Sequence, residues 1–356
     1  MDLPERVDLP ISLADFPDII DVRSPSEYEE DHLPGAINLP VLTDGERHEV
    51  GLLHTQSPYE ARRLGATLIT ANVHRHLSTT LADHPRDFAP LIYCWRGNLR
   101  SNSMAVIFRA IGWRARILNQ GYKSWRKWLM NDLENTLGLP GPELIVLGGL
   151  TGCGKTLLLH ELKKQGAQIL DLEGIANHRG SILGTSPDSA QPNQKRFESE
   201  LWHKFQKYDH GRPVFTEAES NRIGRLQCPP ALWKRLGEAR VILLDLPIKE
   251  RVKLLTREYA HFVQDQSLLK STISGLVRLR GKKHIAKWNR LIDQENWSEF
   301  LQSILLDHYD LVYRRPGSEE SVYQTPERTL NPSSSDQVDF EQTATDLIAH
   351  YQSAQR

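Results

Sequence analysis

Residues 149–156 carry the pattern that most restricts what this chain can fold into. They read Gly-Leu-Thr-Gly-Cys-Gly-Lys-Thr, which matches GxxxxGK[ST], and they lie between the apolar run 144–147 and an amphipathic stretch over 157–164. A strand, a glycine-rich loop and a helix in this order predict a phosphate loop, whose backbone N–H groups face a diphosphate. The predicted phosphate-binding residues are Gly149, Gly152, Gly154, Lys155 and Thr156. We also expect the Thr156 hydroxyl to hold Mg²⁺.

Three apolar runs after this loop end in acidic residues, at 168–173, 213–219 and 241–245. Their carboxylates include Asp171 and Glu173 in the first run and Glu217 and Glu219 in the second. One of them could complete a magnesium shell, because Mg²⁺ prefers oxygen ligands. The sequence does not choose among them.

A single cysteine follows a short apolar run in the first half of the chain. Leu91–Tyr93 predicts a buried strand, Cys94 follows it, and an amphipathic helix is predicted over 101–111. The helix N-terminus, with Arg96 and Arg100, is therefore expected to favour a thiolate. An inert buried cysteine is the simpler interpretation, but it would not require two neighbouring arginines. Because the spacing of Cys94 and Arg100 is also that of cysteine phosphatases, the loop alone leaves both chemistries open.

The composition excludes several other classes. The 356 residues suggest about two domains, and the three cysteines have no paired spacing, so we expect no disulfide framework and no zinc. We expect no haem or flavin either. No apolar run approaches the roughly 20 residues that a membrane span needs, and no signal sequence is evident. We expect a cytoplasmic protein without membrane contact. The net charge of −1 means that nucleic-acid binding would require a local basic surface.

The stretch 249–290 is the candidate for such a surface. It holds eleven Lys or Arg residues against three acids, with aromatic residues among them that include Trp288. An RNA-binding face and an ordinary solvated helical surface are about equally good interpretations. The candidate RNA contacts are Lys249, Arg251, Lys253, Arg257, Arg278, Arg280, Lys282, Lys283, Lys287 and Arg290. Turn-forming residues at 131–143 predict a linker, and the polar residues 315–356 predict a tail with one short helix at 343–352.

The first 130 residues resemble a rhodanese domain. The resemblance rests on Asp21-Val-Arg, Glu27-Tyr, His32-Leu-Pro-Gly-Ala-Ile-Asn-Leu-Pro40, the cysteine loop and Gly121-Tyr-Lys-Ser-Trp125. It implies a parallel α/β sheet over 7–130, with flanking helices and a cysteine that carries sulfur or selenium. One difference is that common single-domain rhodaneses place an arginine where this chain has Leu99. The predicted architecture is therefore this domain, then a P-loop NTPase-like α/β domain over 144–314 with a helical C-terminal extension.

Both halves together resemble the bacterial tRNA 2-selenouridine synthase family. The shared blocks are Cys94-Trp-Arg-Gly97 with Arg100-Ser101, the phosphate loop, 171–181 and 217–224. Asn98 and Gln120 stand where that family has glycines. Asparagine accepts a positive φ better than other non-glycine residues, so we expect the loop to keep its shape.

This resemblance implies an enzyme that replaces sulfur by selenium in the 2-thiouridine at the tRNA wobble position. The sulfur is first geranylated from geranyl diphosphate, and selenophosphate, made by a partner enzyme, then supplies selenium. The phosphate loop would hold the diphosphate with Mg²⁺, Cys94 would carry selenium, and Arg96 and Arg100 would bind phosphate and selenide. Further candidates for the prenyl or RNA site are Asp171, Glu173, His178, Arg179, Glu217, Glu219 and Arg222.

Two alternatives from other classes stay open from the sequence. The chain could be an ATP-dependent kinase or ATPase fused to a sulfurtransferase. It could also be an RNA-binding adaptor in which the rhodanese site is vestigial. Nucleotide turnover would favour the first alternative, and normal tRNA modification without Cys94 and Lys155 would favour the second.

Overall fold

The computed structural model describes residues 4–138, 140–178, 190–258, 266–313 and 325–353. The chain divides into two compact units. Unit 1 comprises residues 1–135 and 193–203, and unit 2 comprises 136–192 and 204–356. Each is built on its own five-stranded parallel sheet, so the predicted α/β class is confirmed.

The sheet of unit 1 has the strand order β1-β5-β4-β2-β3, and all its neighbours are parallel. The central strands are fully buried because helices cover both faces, as their unbroken apolar sequences require. The strands are β1 (Glu5–Val7), β2 (Ile19–Asp21), β3 (Ala36–Asn38), β4 (Leu91–Tyr93) and β5 (Arg116–Leu118). The helices are α1 (Pro25–Glu30), α2 (Asp44–Gln56), α3 (Pro58–Ser78), α4 (Leu99–Ile111) and α5 (Gly121–Gly138).

Unit 1 also includes residues 193–203, which lie in helix α8 (Gln194–Phe205). The Ser199 hydroxyl donates to the buried Asp31 carboxylate at 3.1 Å, and the Trp202 indole donates to Asp132 at 2.7 Å. Arg126 pairs with Glu198. A segment distant in sequence is therefore fixed to this unit by polar contacts that no local pattern predicts.

The sheet of unit 2 has the order β12-β11-β6-β8-β7, again all parallel. Its strands are β6 (Leu144–Gly148), β7 (Gln168–Leu170), β8 (Val214–Glu217), β11 (Arg240–Leu244) and β12 (Arg328–Leu330), and β9 (Arg222–Ile223) pairs separately with β10 (Leu226–Gln227). The helices before the extension are α6 (Lys155–Lys164), α7 (Leu172–Ala176), α9 (Pro230–Glu238) and α10 (Ile248–Glu258).

The helical extension of unit 2 has a hydrophobic core of its own, centred on the fully buried Trp288 and Phe300. It contains α11 (Gln266–Ser274), α12 (Val277–Asp293), α13 (Trp297–Ile304), a π-helical turn (Leu305–Tyr309) and α14 (Asp310–Tyr313). The last helix, α15 (Gln337–Ser353), packs on α6.

The linker predicted at 131–143 was wrong for its first eight positions. Helix α5 continues to Gly138, because Leu129, Leu133 and Leu137 follow one helical face and are at most 1% exposed. The spacing of these leucines outweighs the turn-forming residues between them.

The predicted polar tail was also wrong at 325–336, which is part of the folded unit, whereas its predicted final helix at 343–352 is confirmed within a longer helix. Its residues 315–324 and 354–356 lie outside the described ranges, but Arg328–Leu330 pairs with β11 as a sheet strand. Helix α15 begins at Gln337 rather than at 343, and its Phe340 and Leu347 are fully buried against the core of unit 2. These apolar residues anchor an otherwise polar segment.

Candidate functional site

Cys94 is the first residue after β4, at the carboxyl end of a central strand in unit 1, and it is 3% exposed. Its carbonyl oxygen accepts a hydrogen bond from the N–H of Tyr122 at 2.9 Å. A Cβ at Gly121 would lie 2.1 Å from the same oxygen, and Gly121 has a φ of +59°. Position 121 therefore requires glycine, which lets the start of α5 close the cysteine loop.

Within the described ranges, the side-chain hydrogen-bond partner of the Cys94 thiol is the Ser101 hydroxyl, with Sγ and Oγ 3.3 Å apart. Ser101 is fully buried in the first turn of α4, and its hydroxyl donates to the carbonyl of Asn98 at 3.1 Å. That single proton can turn to the sulfur when the sulfur is an anion. Ser101 belongs to the predicted loop, but its sequence pattern predicted no role for it; its place in the first turn of the helix after the cysteine was the available signal.

The two loop arginines lie in different environments. Arg96 is exposed and, among the residues described, makes no ion pair. Arg100 is 14% exposed and forms a two-bond ion pair with Glu27, with Nη1–Oε2 at 2.5 Å and Nη2–Oε1 at 3.2 Å. Burial raises the pKa of the Glu27 carboxyl, but the hydrogen bonds and charge of Arg100 outweigh it, so the pKa is lowered. Arg100 therefore already holds a carboxylate where the sequence predicts that it binds a substrate anion.

Glu27 lines an open cleft of about 400 Å³ in unit 1. A solute in this cleft can therefore reach Glu27, the carboxylate partner of Arg100. The residues around the cleft are Ser24, Ser26, Glu27, Asp44, Arg47, His48, Gly51 and Leu52.

The backbone strain of this loop is not where we predicted it. Asn98 has a φ of −105°, outside the left-handed region, so it does not need the conformational freedom of glycine. Gln120 has a φ of +56°, directly before Gly121. Of the two departures from glycine, only Gln120 has a conformation that favours glycine.

In unit 2, the loop after β6 has the curl that the glycine pattern predicts. Gly149, Gly152 and Gly154 all have positive φ values, from +77° to +144°. A Cβ at Gly154 would lie 2.5 Å from the Phe340 ring, so the loop is also closely packed from behind. The Lys155 ammonium donates to the carbonyl of Gly149 at 2.8 Å, which places it across its own loop.

An acidic cluster lies at the carboxyl end of β8, beside this loop. The Thr156 hydroxyl donates to Glu173 at 3.2 Å, and the N–H of Glu173 donates to Glu217 Oε1 at 2.9 Å. Glu217 is fully buried, and its Oε2 has no hydrogen-bond partner among the residues that the structure describes. Burial and the nearby Asp171 and Glu173 charges raise the pKa of Glu217, and burial with the Glu173 charge raises that of Glu219.

These donors fit a magnesium ion that is completed by phosphate and water, because a hydroxyl, a nearby carboxylate and an unpaired carboxylate oxygen are hard oxygen ligands. They do not fit a site built from protein alone. Among the described residues, no group of three or more His, Cys, Asp or Glu side chains is arranged to hold a metal.

Two of the remaining site candidates, Asp171 and Arg222, form hydrogen bonds within the protein. Asp171 caps α7 through Gly174 and contacts His160 at 3.0 Å. Burial lowers the pKa of His178. Arg222 is exposed on β9 and donates to the carbonyl of Gly224, and Arg179 lies outside the described residues.

The assignment of Arg251 to an RNA-binding face was wrong. Its side chain is 4% exposed and forms two hydrogen bonds with Asp310, at 2.6 and 3.0 Å. Its Nε also donates to the carbonyl of Thr151 in the phosphate loop at 2.9 Å. Trp288, an aromatic residue of the same stretch, is fully buried as well, and its indole N–H donates to Ser303 inside the extension. A count of charges along a sequence does not separate such residues from surface ones.

The other basic candidates divide into two groups. Arg280 donates to His308, Lys253 and Arg257 contact Asp336 or its neighbour Ser335, and Lys287 lies 3.5 Å from Asp307. The exposed cations without such contacts among the described residues are Lys249, Arg278, Lys282, Lys283 and Arg290. Four of these five lie on α12. No helix in the described part of the chain is long and apolar enough to cross a membrane.

The fold and the two loops define a rhodanese-like domain joined in one chain to a P-loop domain. Residues 6–127 match the family model of the rhodanese-like domain, and residues 142–284 match that of the tRNA 2-selenouridine synthase AAA domain.

The chain is similar to proteins named tRNA 2-selenouridine synthase. It is 30% identical over 338 residues to that of Marinobacter nauticus, covering 86% of this chain and 89% of the relative. It is 31% identical over 336 residues to that of Alcanivorax borkumensis, with 86% and 90% covered. It is 35% identical over 265 residues to that of a Sulfurovum species, with 72% and 70% covered. The chain belongs to the tRNA 2-selenouridine synthase family.

Proposed function

We propose that this protein converts the 2-thiouridine at the wobble position of tRNA to 2-selenouridine in two steps. The observation that carries the proposal is that one chain of this family holds both a buried thiol at a strand end and a phosphate loop closed by Lys155 and Thr156. A thiol suits the handling of selenium, and a phosphate loop suits a diphosphate ester. Relatives over nearly the full length are named for this modification.

In the first step, the thione sulfur attacks C1 of geranyl diphosphate. The S–C bond forms, the C–O bond to diphosphate breaks, and the N3 proton of the base passes to solvent. The N–H groups of residues 149–154 and the Lys155 ammonium bind the departing charge, for which Lys155 turns away from the Gly149 carbonyl. Thr156 and Glu173 would hold Mg²⁺, which would neutralise further diphosphate charge when bound.

The second step replaces the alkylated sulfur, which is a better leaving group than the thione. In the net reaction, selenium from selenophosphate bonds to C2, geranylthiol leaves, and water takes the place of selenium on phosphorus to give phosphate. We propose that the Cys94 thiolate attacks the phosphorus of selenophosphate, so that an S–P bond forms and the P–Se bond breaks to release hydroselenide beside the thiol. Hydroselenide then attacks C2 as geranylthiol leaves, and water cleaves the S–P bond to give phosphate and free Cys94. The N–H groups at the start of α4 bind the donor anion. The selenophosphate would come from a separate enzyme.

Mass analysis of nucleosides tests both steps. Thiolated tRNA is incubated with geranyl diphosphate, with and without selenophosphate, and S-geranyl-2-thiouridine and 2-selenouridine are measured. We expect Cys94→Ala to accumulate the geranylated nucleoside and Lys155→Ala to form neither product from thiolated tRNA. Cys228→Ala and Lys163→Ala are matched controls, since Cys228 is a buried thiol whose pKa burial raises to about 12 and Lys163 is exposed on α6. Selenouridine formation at the normal rate by Cys94→Ala would contradict the role of the thiol.

A further inference from the structure

The residue after Cys94 is a tryptophan held on a rigid stack within unit 1. The Trp95 ring centroid lies 5.3 Å from that of Tyr122, with the planes tilted by 32°. On Tyr122, the Arg23 guanidinium carbon lies 4.0 Å from the ring centroid. The stack therefore runs from Arg23 through Tyr122 to Trp95.

Hydrogen bonds to buried carboxylates hold the other two members of the stack, Arg23 and Tyr122, in place. Arg23 is 1% exposed and bonded to the buried Asp21 carboxylate, with Nη2–Oδ2 at 2.6 Å. Tyr122 is 2% exposed, and its hydroxyl donates to Asp31 at 2.7 Å. Burial and the Asp31 charge raise the pKa of Tyr122, so the phenol stays neutral and continues to donate.

Trp95 itself is fixed through its backbone but is only half-buried. Its carbonyl accepts from the N–H of Lys123 at 3.0 Å, one residue after the bond between Tyr122 and Cys94. The side chain of Trp95, the residue that follows Cys94, thus presents part of a large aromatic surface. Arg96, the next residue, is exposed and has no ion pair in the described part of the chain.

We propose that Trp95 is the stacking platform for the wobble base during selenium transfer, with Arg96 available to an RNA phosphate. A rigid aromatic ring beside an exposed cation is the combination that binds an unstacked base and its backbone. A prenyl chain would use the apolar surface but would gain nothing from the guanidinium. This inference rests on the proposed function and adds where the S-geranylated pyrimidine lies when its C2 meets the selenium released at Cys94.

A binding cycle with the full-length protein tests the inference. The probes are two anticodon stem-loop RNAs, one with S-geranyl-2-thiouridine at the wobble position and one abasic there. Stacking of one base contributes about 1–3 kcal/mol. We therefore expect the abasic change to weaken binding about tenfold in the unchanged protein and less than twofold in Trp95→Leu. Trp95→Phe should keep most of the difference, because phenylalanine also stacks.

Two controls separate stacking from damage to the loop. Trp128→Leu removes another half-buried tryptophan of unit 1, which packs on Trp202 with centroids 5.3 Å apart, and the full tenfold difference should remain. The rate at which iodoacetamide alkylates Cys94 should be unchanged within about twofold in Trp95→Leu. A collapsed loop would alter that rate and also abolish binding of both RNAs alike, which would contradict a stacking role.

The outcomes distinguish this inference from the proposed function. Suppose that the unchanged protein makes selenouridine, but that the abasic RNA binds Trp95→Leu and the unchanged protein with the same loss of affinity. Only the stacking assignment is then overturned. Equal binding by Trp95→Leu and the unchanged protein, with both discriminating against the abasic RNA, would also overturn it. If the unchanged protein neither binds the geranylated RNA nor forms selenouridine, both proposals fail.

Discussion

Arg251 and Asp310 form a buried two-bond ion pair, and the same arginine donates to the carbonyl of Thr151 in the phosphate loop. Both side chains are at most 5% exposed. The pair thus connects the helical extension of unit 2 to the loop that would hold diphosphate. Because the arginine satisfies a loop carbonyl, it fixes the path of the backbone whose N–H groups face the ligand.

We expect Arg251→Met to lower the free energy of unfolding of unit 2 by about 3–5 kcal/mol, since it leaves a buried carboxylate unpaired. Arg251→Lys should be more stable than Arg251→Met but bind inorganic diphosphate several-fold more weakly than the unchanged protein. An ammonium cannot donate two hydrogen bonds to Asp310 and one to the Thr151 carbonyl in the geometry of a guanidinium. Urea unfolding and calorimetric binding measure the two effects. Arg63→Met, in an exposed pair with Glu60, is the control and should cost less than about 1 kcal/mol. Unchanged diphosphate binding by a folded Arg251→Lys protein would show that the contact with the loop is incidental.

The Glu27–Arg100 pair makes a prediction about anions near Cys94. In Glu27→Gln, Arg100 loses its carboxylate and becomes available to a negatively charged reagent. We expect iodoacetate, an anion, to alkylate Cys94 about three- to tenfold faster relative to neutral iodoacetamide than in the unchanged protein. The ratio of the two rates, followed by intact mass, cancels general changes in thiol access. Glu60→Gln removes an exposed carboxylate from α3 and should leave the ratio unchanged; the same ratio in Glu27→Gln would rule out the arginine as an anion site.

The pattern of what the sequence predicted follows from the range of the interactions. The two loops were predictable because each motif lies within a strand, a turn and a helix that are consecutive in sequence. Their partners were not, because Glu27 precedes Arg100 by 73 residues and Arg251 precedes Asp310 by 59. Only the folded chain decides which arginine receives a buried carboxylate and which stays exposed, so Arg251 looked like a surface cation.

His32 predicts how the stability of unit 1 depends on pH. Burial lowers its pKa to about 4, and its ring stacks on Tyr28 with centroids 3.6 Å apart. As pH falls, His32 of the unfolded chain is protonated near pH 6.5, whereas His32 of the folded chain is protonated only near pH 4. The free energy of unfolding is therefore unaffected by His32 above pH 6.5 and decreases as pH drops from 6.5 towards 4. One pKa unit corresponds to about 1.4 kcal/mol, which gives a loss of about 3 kcal/mol over this range.

Hydrogen exchange of the β2 and β4 amides, corrected for intrinsic rates, measures this loss in unit 1 alone. His32→Gln should remove most of the pH dependence between 6.5 and 4, at some cost in stability at pH 7. His74→Gln, on the exposed face of α3, should retain it. Equal slopes for His32→Gln and the unchanged protein would assign the acid sensitivity to other groups.

Gln120 and Gly121 are neighbours with similar φ values, but we expect substitutions at the two positions to have opposite effects. Gln120 bears a side chain at a φ of +56°, where a non-glycine residue costs about 1 kcal/mol, so Gln120→Gly should raise the stability of unit 1 by up to that amount. Gly121→Ala would place a methyl group 2.1 Å from the Cys94 carbonyl, so we expect it to displace the loop and slow alkylation of Cys94 strongly. Gln56→Gly, at the exposed end of α2, is the control and should be destabilising, because that residue has an ordinary negative φ. Hydrogen exchange and alkylation rates read out the three variants. A loss of stability in Gln120→Gly as large as in Gln56→Gly would mean that the side chain of Gln120 offsets its backbone strain.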